Sequence, residues 1–416
     1  MPTQGEMTIA ERRKYLQIQR GRYLAASRKG RSQLLTEMQQ VTGLHRKTLI
    51  RLMHSEMGRR LRRQQRGRTY GAAVDDALRV IAESLDYPCA ERLTPNLVWV
   101  AQHLSQHGEL RLTPELLEQL KRISVSTVRR ILQRIVQDEP RLPRRGPEGA
   151  NHTVRQAPMR RIRWDEQEPG HFELDSVHHG GATPTGEYVH TLQFVDVAAG
   201  WSERIAVLGR SQLVVAAAFQ TFLAQAPFPI HEIPSDNGSE VLNAHLLRFW
   251  KEKVTGISLS RSRPYHKNDN RFVEQKNATL VRRYLGDVRL DTIAQTHTLN
   301  QLYAKMRLFY NFFQPVMRLV GKEFSTQHGQ SHLKRRFDAP QTPFERLCAS
   351  QVLSPADQHA FTHWRNQTNP RRLRLEIYAL LDQLLRMPGA APDEIEDVML
   401  SLPTPVASPQ PLRSSP

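Results

Sequence analysis

From Thr8 to about His54 the apolar positions recur every three to four residues, the period of helices that bury one face. The segment from Arg31 to Met53 divides at Thr42-Gly43-Leu44 into two such helices, which is the helix-turn-helix pattern. Gly43 supplies the positive φ of the turn and Leu44 packs beneath it. Arg46, Lys47, Thr48 and Arg51 then open the second helix where it would meet a DNA groove. An arginine-rich arm follows, with Arg59, Arg60, Arg62 and Arg63 at its start, suited to phosphates or a minor groove.

A second helical unit is predicted from about Ala72 to Val136. Thr113 and Pro114 are an N-cap and a first-turn proline, and a break at Ile123-Ser124 makes the unit resemble a second helix-turn-helix. Ser126, Thr127, Arg129 and Arg130 lie on its candidate recognition helix. Trp99, Leu104, Leu116, Leu120, Val128 and Ile131 read as its core. Residues 138 to 164 combine prolines, glycines and seven arginines without apolar periodicity, the composition of a basic linker.

From Gly170 the period changes from helical to strand-like. Strands are predicted at His171 to Val177, Tyr188 to Val197 and Ser202 to Leu208, then a helix to Gln225, a strand at His231 to Ser235 and a helix from Leu242 to Lys253. A strand at Ile257 to Arg261 and a helix from Asp269 to Leu285 complete a β-β-β-α-β-α-β-α order, that of an RNase H-like fold. A helix from Asp291 to Phe313 and a mostly helical region to Met387 follow, and the Pro, Ser and Ala-rich stretch from Pro388 is expected to be disordered. The expected fold is therefore multi-domain. All-α helix-turn-helix units occupy 1–70 and 71–137, and an α/β core spans 165–322. A mostly helical region covers 323–387, and the tail runs through 388–416.

Charge sharpens this division. The chain of 416 residues carries a formal +18, and residues 1 to 164 hold 32 Lys and Arg against 15 Asp and Glu, while the remainder is nearly neutral. A basic front half ahead of a neutral back half points to a polyanion-binding module, with nucleic acid the first candidate. No run approaches the length of about 20 apolar residues that spans a bilayer, and the N-terminus has no signal-peptide core, so a cytoplasmic location is expected. Cys89 and Cys348 are too few for a disulfide framework or a thiolate metal site and read as buried structural thiols.

The chemistry lies in three short motifs: Phe172-Glu-Leu-Asp-Ser176, Ser235-Asp-Asn-Gly238 and Asn270-Arg-Phe-Val-Glu274. Asp175 falls near the end of the first predicted strand. Asp236 stands just beyond another, and Glu274, 38 positions later, lies one turn into a helix. Three carboxylates gathered at one sheet edge repel by roughly 4 kcal/mol per pair at 4 Å and an effective dielectric near 20, so the site would need protons or divalent cations. Oxygen ligands of this kind favour Mg²⁺ or Mn²⁺. Glu173 beside Asp175 is a rival ligand. Asp196 is a further carboxylate, read as a turn former.

The run Ser262-Arg-Pro-Tyr-His-Lys-Asn-Asp-Asn-Arg-Phe-Val-Glu-Gln-Lys-Asn277, preceded by Ser235-Asp-Asn-Gly238, resembles the integrase-core DDE transposases of bacterial insertion sequences. The resemblance covers Trp164 to about Lys322 and extends more weakly to the flanks. It implies an RNase H-like core in which Asp175, Asp236 and Glu274 hold two Mg²⁺ or Mn²⁺ ions. The implied activity is nicking at the 3′ ends of an element and joining of those ends to target DNA. It also implies binding of the terminal inverted repeats through the front helices, in a homodimer or larger assembly that brings two ends together, in a bacterial, nucleoid-associated setting. His266 and Lys267 would handle the scissile strand ahead of the Glu274 helix, and Lys276 would be a further DNA contact. Retroviral integrases carry a His/Cys zinc module at the N-terminus, and this sequence has no such spacing. The alternative class is a non-catalytic DNA-binding regulator that keeps only the fold.

Overall fold

The computed structural model describes residues 7–55, 69–137, 166–182, 185–235, 257–261, 271–327, 330–391 and 397–402. The chain divides into two compact units, Met1–Thr69 and Tyr70–Pro416. The class is mixed, with helical parts joined to an α/β part.

The first unit holds three helices, α1 (Ile9–Ala25), α2 (Arg28–Thr42) and α3 (Arg46–His54). Thr8 and Glu11 form a capping box at the start of α1, so two otherwise orphan amides are satisfied reciprocally. Leu16, Tyr23, Leu34, Leu35, Met38, Leu49 and Met53 interlock as its core, with Leu44 against them. Gly43 ends α2 at φ 69°, the left-handed conformation that the turn demands.

In the second unit, α4 (Ala72–Ser84), α5 (Ala90–Leu93), α6 (Leu97–Gln106), α7 (Pro114–Arg122) and α8 (Val125–Gln137) come first. Thr113 caps α7 by accepting from the Leu116 amide. These helices are not an independent domain, as the sequence suggested, because their core is continuous with that of everything that follows. Polar ties reinforce the union. The Asp86 carboxylate accepts from the hydroxyls of Tyr284 and Tyr378 and from Arg374 Nε, and Arg371 pairs with Glu83.

The sheet has five strands in the order β3-β2-β1-β4-β5. Strands β1 (Phe172–His178), β2 (Val189–Asp196) and β3 (Ser202–Leu208) are antiparallel neighbours, whereas β4 (Glu232–Ser235) and β5 (Ser258–Arg261) run parallel to β1. Register pairs Leu174 with Phe194 and Asp175 with Gln193, so Phe172, Leu174 and Phe194 share one face. There Phe172 and Phe194 meet Phe222 of α9 (Gln212–Gln225) at 5.0 and 3.9 Å between ring centroids. Glu173, Asp175, Gln193 and, across the next pair, Arg204 point to the opposite face. That face carries α10, a continuous helical run made of Arg271–Lys276, a wide π turn at Asn277–Arg282 and Arg283–Leu285. It also carries α11 (Ile293–Phe312), whose Tyr303 hydroxyl bonds Thr191 at 2.7 Å.

The C-terminal region departs from expectation twice. It opens with an antiparallel pair, β6 (Leu319–Gln327) and β7 (Gln330–Phe337), before α12 (Pro343–Ser350), α13 (Pro355–Gln367) and α14 (Pro370–Arg386). The stretch expected to be a disordered tail is docked in part. Ala390 donates its amide to Asp291, Leu400 accepts from His297, and Val398 and Leu402 pack on the core. The predicted helix Leu242 to Lys253 and the basic linker over 138–164 lie outside the described residues. No described helix is long and apolar enough to cross a membrane.

Two buried histidines make stability depend on pH. His179, bonded to Thr191 at 2.8 Å, and His190, stacked on Tyr188, are pushed down to about 3, chiefly by burial. A depressed folded value means the unfolded chain binds more protons between pH 6.5 and 3, so stability falls as pH falls, by up to about 1.4 kcal/mol per pH unit for each histidine. Asp196 acts oppositely: burial raises it to about 6, so its contribution is present below its unfolded value of 3.8 and lost as pH rises through 6. His171, raised mainly by Glu232, acts in the same sense as Asp196. The histidines dominate near pH 6, and the urea midpoint is expected to drop from pH 7 to pH 5.5. The drop should be smaller in His190→Phe; an equal drop in that variant would contradict the assignment.

Candidate active site

The first amides of α10 have no acceptor within their own helix. Glu173, reaching across from β1, accepts from the Phe272 amide at 2.8 Å and the Val273 amide at 2.9 Å through one carboxylate oxygen. It is 2% exposed. A negative charge at this position also meets the positive end of the helix dipole. Glu173, the rival ligand, is thus engaged in fixing the helix that carries Glu274.

Two residues along the same face of β1, Asp175 is half-buried. Its Oδ2 accepts from Asn277 Nδ2 at 2.6 Å and its Oδ1 from the Ser176 amide at 2.8 Å. Asn277 stands three positions after Glu274, a spacing that puts both on one side of the helix. The structure therefore brings Asp175 to the side of α10 that bears Glu274, with Glu274 exposed and Asn277 buried between strand and helix. Asn277 also opens the π turn, a local widening that recurs at functional sites. Sequence reading missed Asn277. Its signal was the i, i+3 spacing from Glu274 in an otherwise apolar and basic run.

Asp236 lies outside the described residues, as do His266 and Lys267. Ser235, the residue before Asp236, ends β4 in parallel register with Leu174, the residue before Asp175. Among the described residues no group of three His, Cys, Asp or Glu side chains could hold a metal ion. The donor chemistry around Asp175 nonetheless suits a hard cation. Its carboxylate faces the helix, and the buried Asn277 Oδ1 has no hydrogen-bond partner among the described residues.

Asp196 is fully buried, and its two oxygens accept from the Gly170 and Ala199 amides at 2.8 and 2.5 Å, closing the turn from β2 to β3. Lys276 points away from the Asp175 side, into a cavity beside α10. Burial, with Arg204, Arg92 and Arg318 nearby, pushes its ammonium down to about 7. It is a half-buried residue of that cavity.

The expected groove contacts divide similarly. Lys47 and Arg51 are exposed on α3, and Thr48 is half-buried. Arg46 instead bridges back to α2, donating to Thr36 Oγ1 at 3.0 Å and to Ser32 Oγ at 2.7 Å, so it holds the two helices together. On α8, Ser126 and Arg130 are exposed and Thr127 is half-buried, but Arg129 is paired with Glu91. Arg59, Arg60, Arg62 and Arg63 lie outside the described residues. Cys89, expected to be buried, is exposed, and Cys348 is half-buried.

These observations define a multi-domain protein of mixed class, in which the strand carboxylate of Asp175 is bonded by Asn277, three positions after Glu274 on α10. The chain belongs to the family of the Uncharacterized protein y4rM of Sinorhizobium fredii (strain NBRC 101917 / NGR234), to which it is 34% identical over 331 residues, 78% of this chain and 91% of that protein. No protein-family model matches the chain. Among solved structures, a chain in the cryoEM structure of simian T-cell lymphotropic virus intasome in complex with PP2A regulatory subunit B56 gamma matches at 14% identity. That match covers 58% of this chain and 87% of the other at a TM-score of 0.28, too loose an overlap to establish a shared fold.

Proposed function

We propose that the protein is a transposase with an RNase H-like core that nicks the ends of its own element and joins them to target DNA. The observation that carries this reading is the Asp175–Asn277 bond, which ties the first-strand carboxylate to the helix of Glu274. The strand order β3-β2-β1-β4-β5, with three antiparallel strands followed by parallel ones, agrees with such a core. Exposed Lys47 and Arg51 on a helix-turn-helix agree with binding of duplex DNA.

In this reading Asp175, Asp236 and Glu274 hold the divalent ions. Bound there, two Mg²⁺ or Mn²⁺ ions would supply Lewis acidity at the scissile phosphate and lower the pKa of the attacking hydroxyl. Glu173 positions the helix, and Asn277 orients Asp175. No Ser, Tyr or His nucleophile is needed, because water attacks in the first step and a DNA 3′-hydroxyl in the second.

Asp236→Asn is the test. It should lower Mg²⁺-dependent nicking of the element's ends by about a thousandfold, equivalent to about 4 kcal/mol of barrier, while end binding is unchanged. Nicking that survives the substitution would remove Asp236 from the site and favour a regulator that keeps only the fold.

A further inference from the structure

On the flank of α10 away from Asp175, a cavity of about 350 Å³ lies within the second unit. Its walls come from the loop after α4, from α10 and from the segment after α11. Four cationic side chains line it: Arg92, Lys276, Arg283 and Arg318.

The nearby acids are already engaged. Asp86, the lining carboxylate, accepts from Tyr284, Tyr378 and Arg374. Asp196 is taken by two backbone amides, and Asp338 pairs with Arg346 at 2.7 Å. Arg92 Nε is buried without a hydrogen-bond partner among the described residues, and Arg318 lies over the Phe272 ring at 4.6 Å. Behind these, Arg204 is 4% exposed, and its Nε, Nη1 and Nη2 have no hydrogen-bond partner among the described residues. It rests against the rings of Tyr303 and Tyr310, and Tyr310 also lines the cavity. Glu173, near Arg318, and Glu203, near Arg204, are likewise bonded to the α10 amides and to Arg307, so half-buried cations outnumber the acids left to face them, an arrangement that an anion in the cavity relieves.

We propose that this cavity is a phosphate-binding site, in which one phosphate group sits among Arg92, Lys276, Arg283 and Arg318. Guanidinium forks match phosphate oxygens, and a lysine adds a point charge. The volume lies at the lower end of the range of small-molecule sites, which leaves room for a sugar attached to the phosphate. Tyr87 and Phe272 offer aromatic edges for that part. The phosphate can belong to a nucleic-acid backbone, a source that rests on the function proposed above, or to a free phosphate compound, which does not.

Cys89 is exposed and lines the same cavity, so its alkylation reports occupancy. The full-length protein, in EDTA to suppress cleavage, is treated with a maleimide alone, with pyrophosphate, or with a short DNA duplex. Modification of the Cys89 peptide is followed by mass spectrometry, separately from the Cys348 peptide. Saturating phosphate should slow Cys89 modification, and Lys276→Met and Arg92→Gln should each raise the protecting concentration about tenfold, as expected for the loss of one charge-assisted contact. Protection by pyrophosphate would identify a free phosphate compound as a ligand; protection by duplex alone would identify the backbone. No protection by either probe, or protection unchanged in both variants, overturns the proposal. Cleavage plays no part in the readout, so failure here leaves the strand-transfer reading standing, and failure of Asp236→Asn leaves this one.

Discussion

Glu173→Ala is expected to cost about 4 kcal/mol of folding stability, because two hydrogen bonds to a charged acceptor are lost and two helix-end amides are left without their partner. The loss reaches the chemistry as well. Glu173 ties the start of α10 to β1, and α10 is the element that brings Glu274 to the Asp175 side of the sheet. A displacement of about 1 Å at a reacting site costs about a hundredfold in rate, so nicking should fall by at least that much under conditions where the variant is still folded. Glu173→Gln keeps an acceptor oxygen but not the charge and should fall between the two. Urea unfolding and end nicking, measured on the same preparations, check both parts. A loss no greater than about 0.5 kcal/mol, the scale of a neutral surface change, would mean that Glu173 does not fix the helix.

Asn277→Leu should separate stability from activity. Leucine fills similar space and removes the buried Oδ1, which has no hydrogen-bond partner among the described residues; that offsets the loss of the amide donor, so the urea midpoint should stay near that of the wild type. Asp175, however, loses the 2.6 Å bond that orients its carboxylate. Nicking should drop about a hundredfold, with a higher Mg²⁺ concentration for half-maximal rate and unchanged binding to the ends. Unchanged nicking would show that Asp175 does not depend on Asn277.

Where the apolar period was clean, the fold was legible. The alternation in Phe172 to His178 and Val189 to Asp196 announced paired strands, and Thr42-Gly43-Leu44 announced the turn between α2 and α3. Elements that depend on distant partners were not. Strands β6 and β7 carry Lys322, Lys334, Arg335 and Arg336, charges that mask a strand pattern until the two segments pair. The stretch 397–402 lies in a sequence whose composition predicts disorder, yet Val398 and Leu402 find a surface on the core. The docking of α4 through α8 rests on Asp86 meeting Arg374 and Tyr378, nearly 300 positions away, which no local pattern records.

The same division runs through the site. Asp175 and Glu274 could be named from their motifs, with Asp175 set ahead of Glu173 by the resemblance, but the partners of each carboxylate are visible only in the fold. Arg46 and Arg129 had the right type and position for groove contacts. The structure adds that Arg46 bonds Ser32 and Arg129 pairs with Glu91, partners that no local pattern records.

In the function proposed above, strand transfer proceeds at a carboxylate-held metal site without a covalent enzyme intermediate. The most direct measurement incubates the full-length protein with Mg²⁺, a target plasmid and duplexes of its own flanking DNA that end in either a 3′-hydroxyl or a 3′-deoxy terminus. Joined product is expected from the 3′-hydroxyl ends alone, with no protein attached to DNA after denaturation. Joining from 3′-deoxy ends, or a protein–DNA adduct on the way to product, would contradict it.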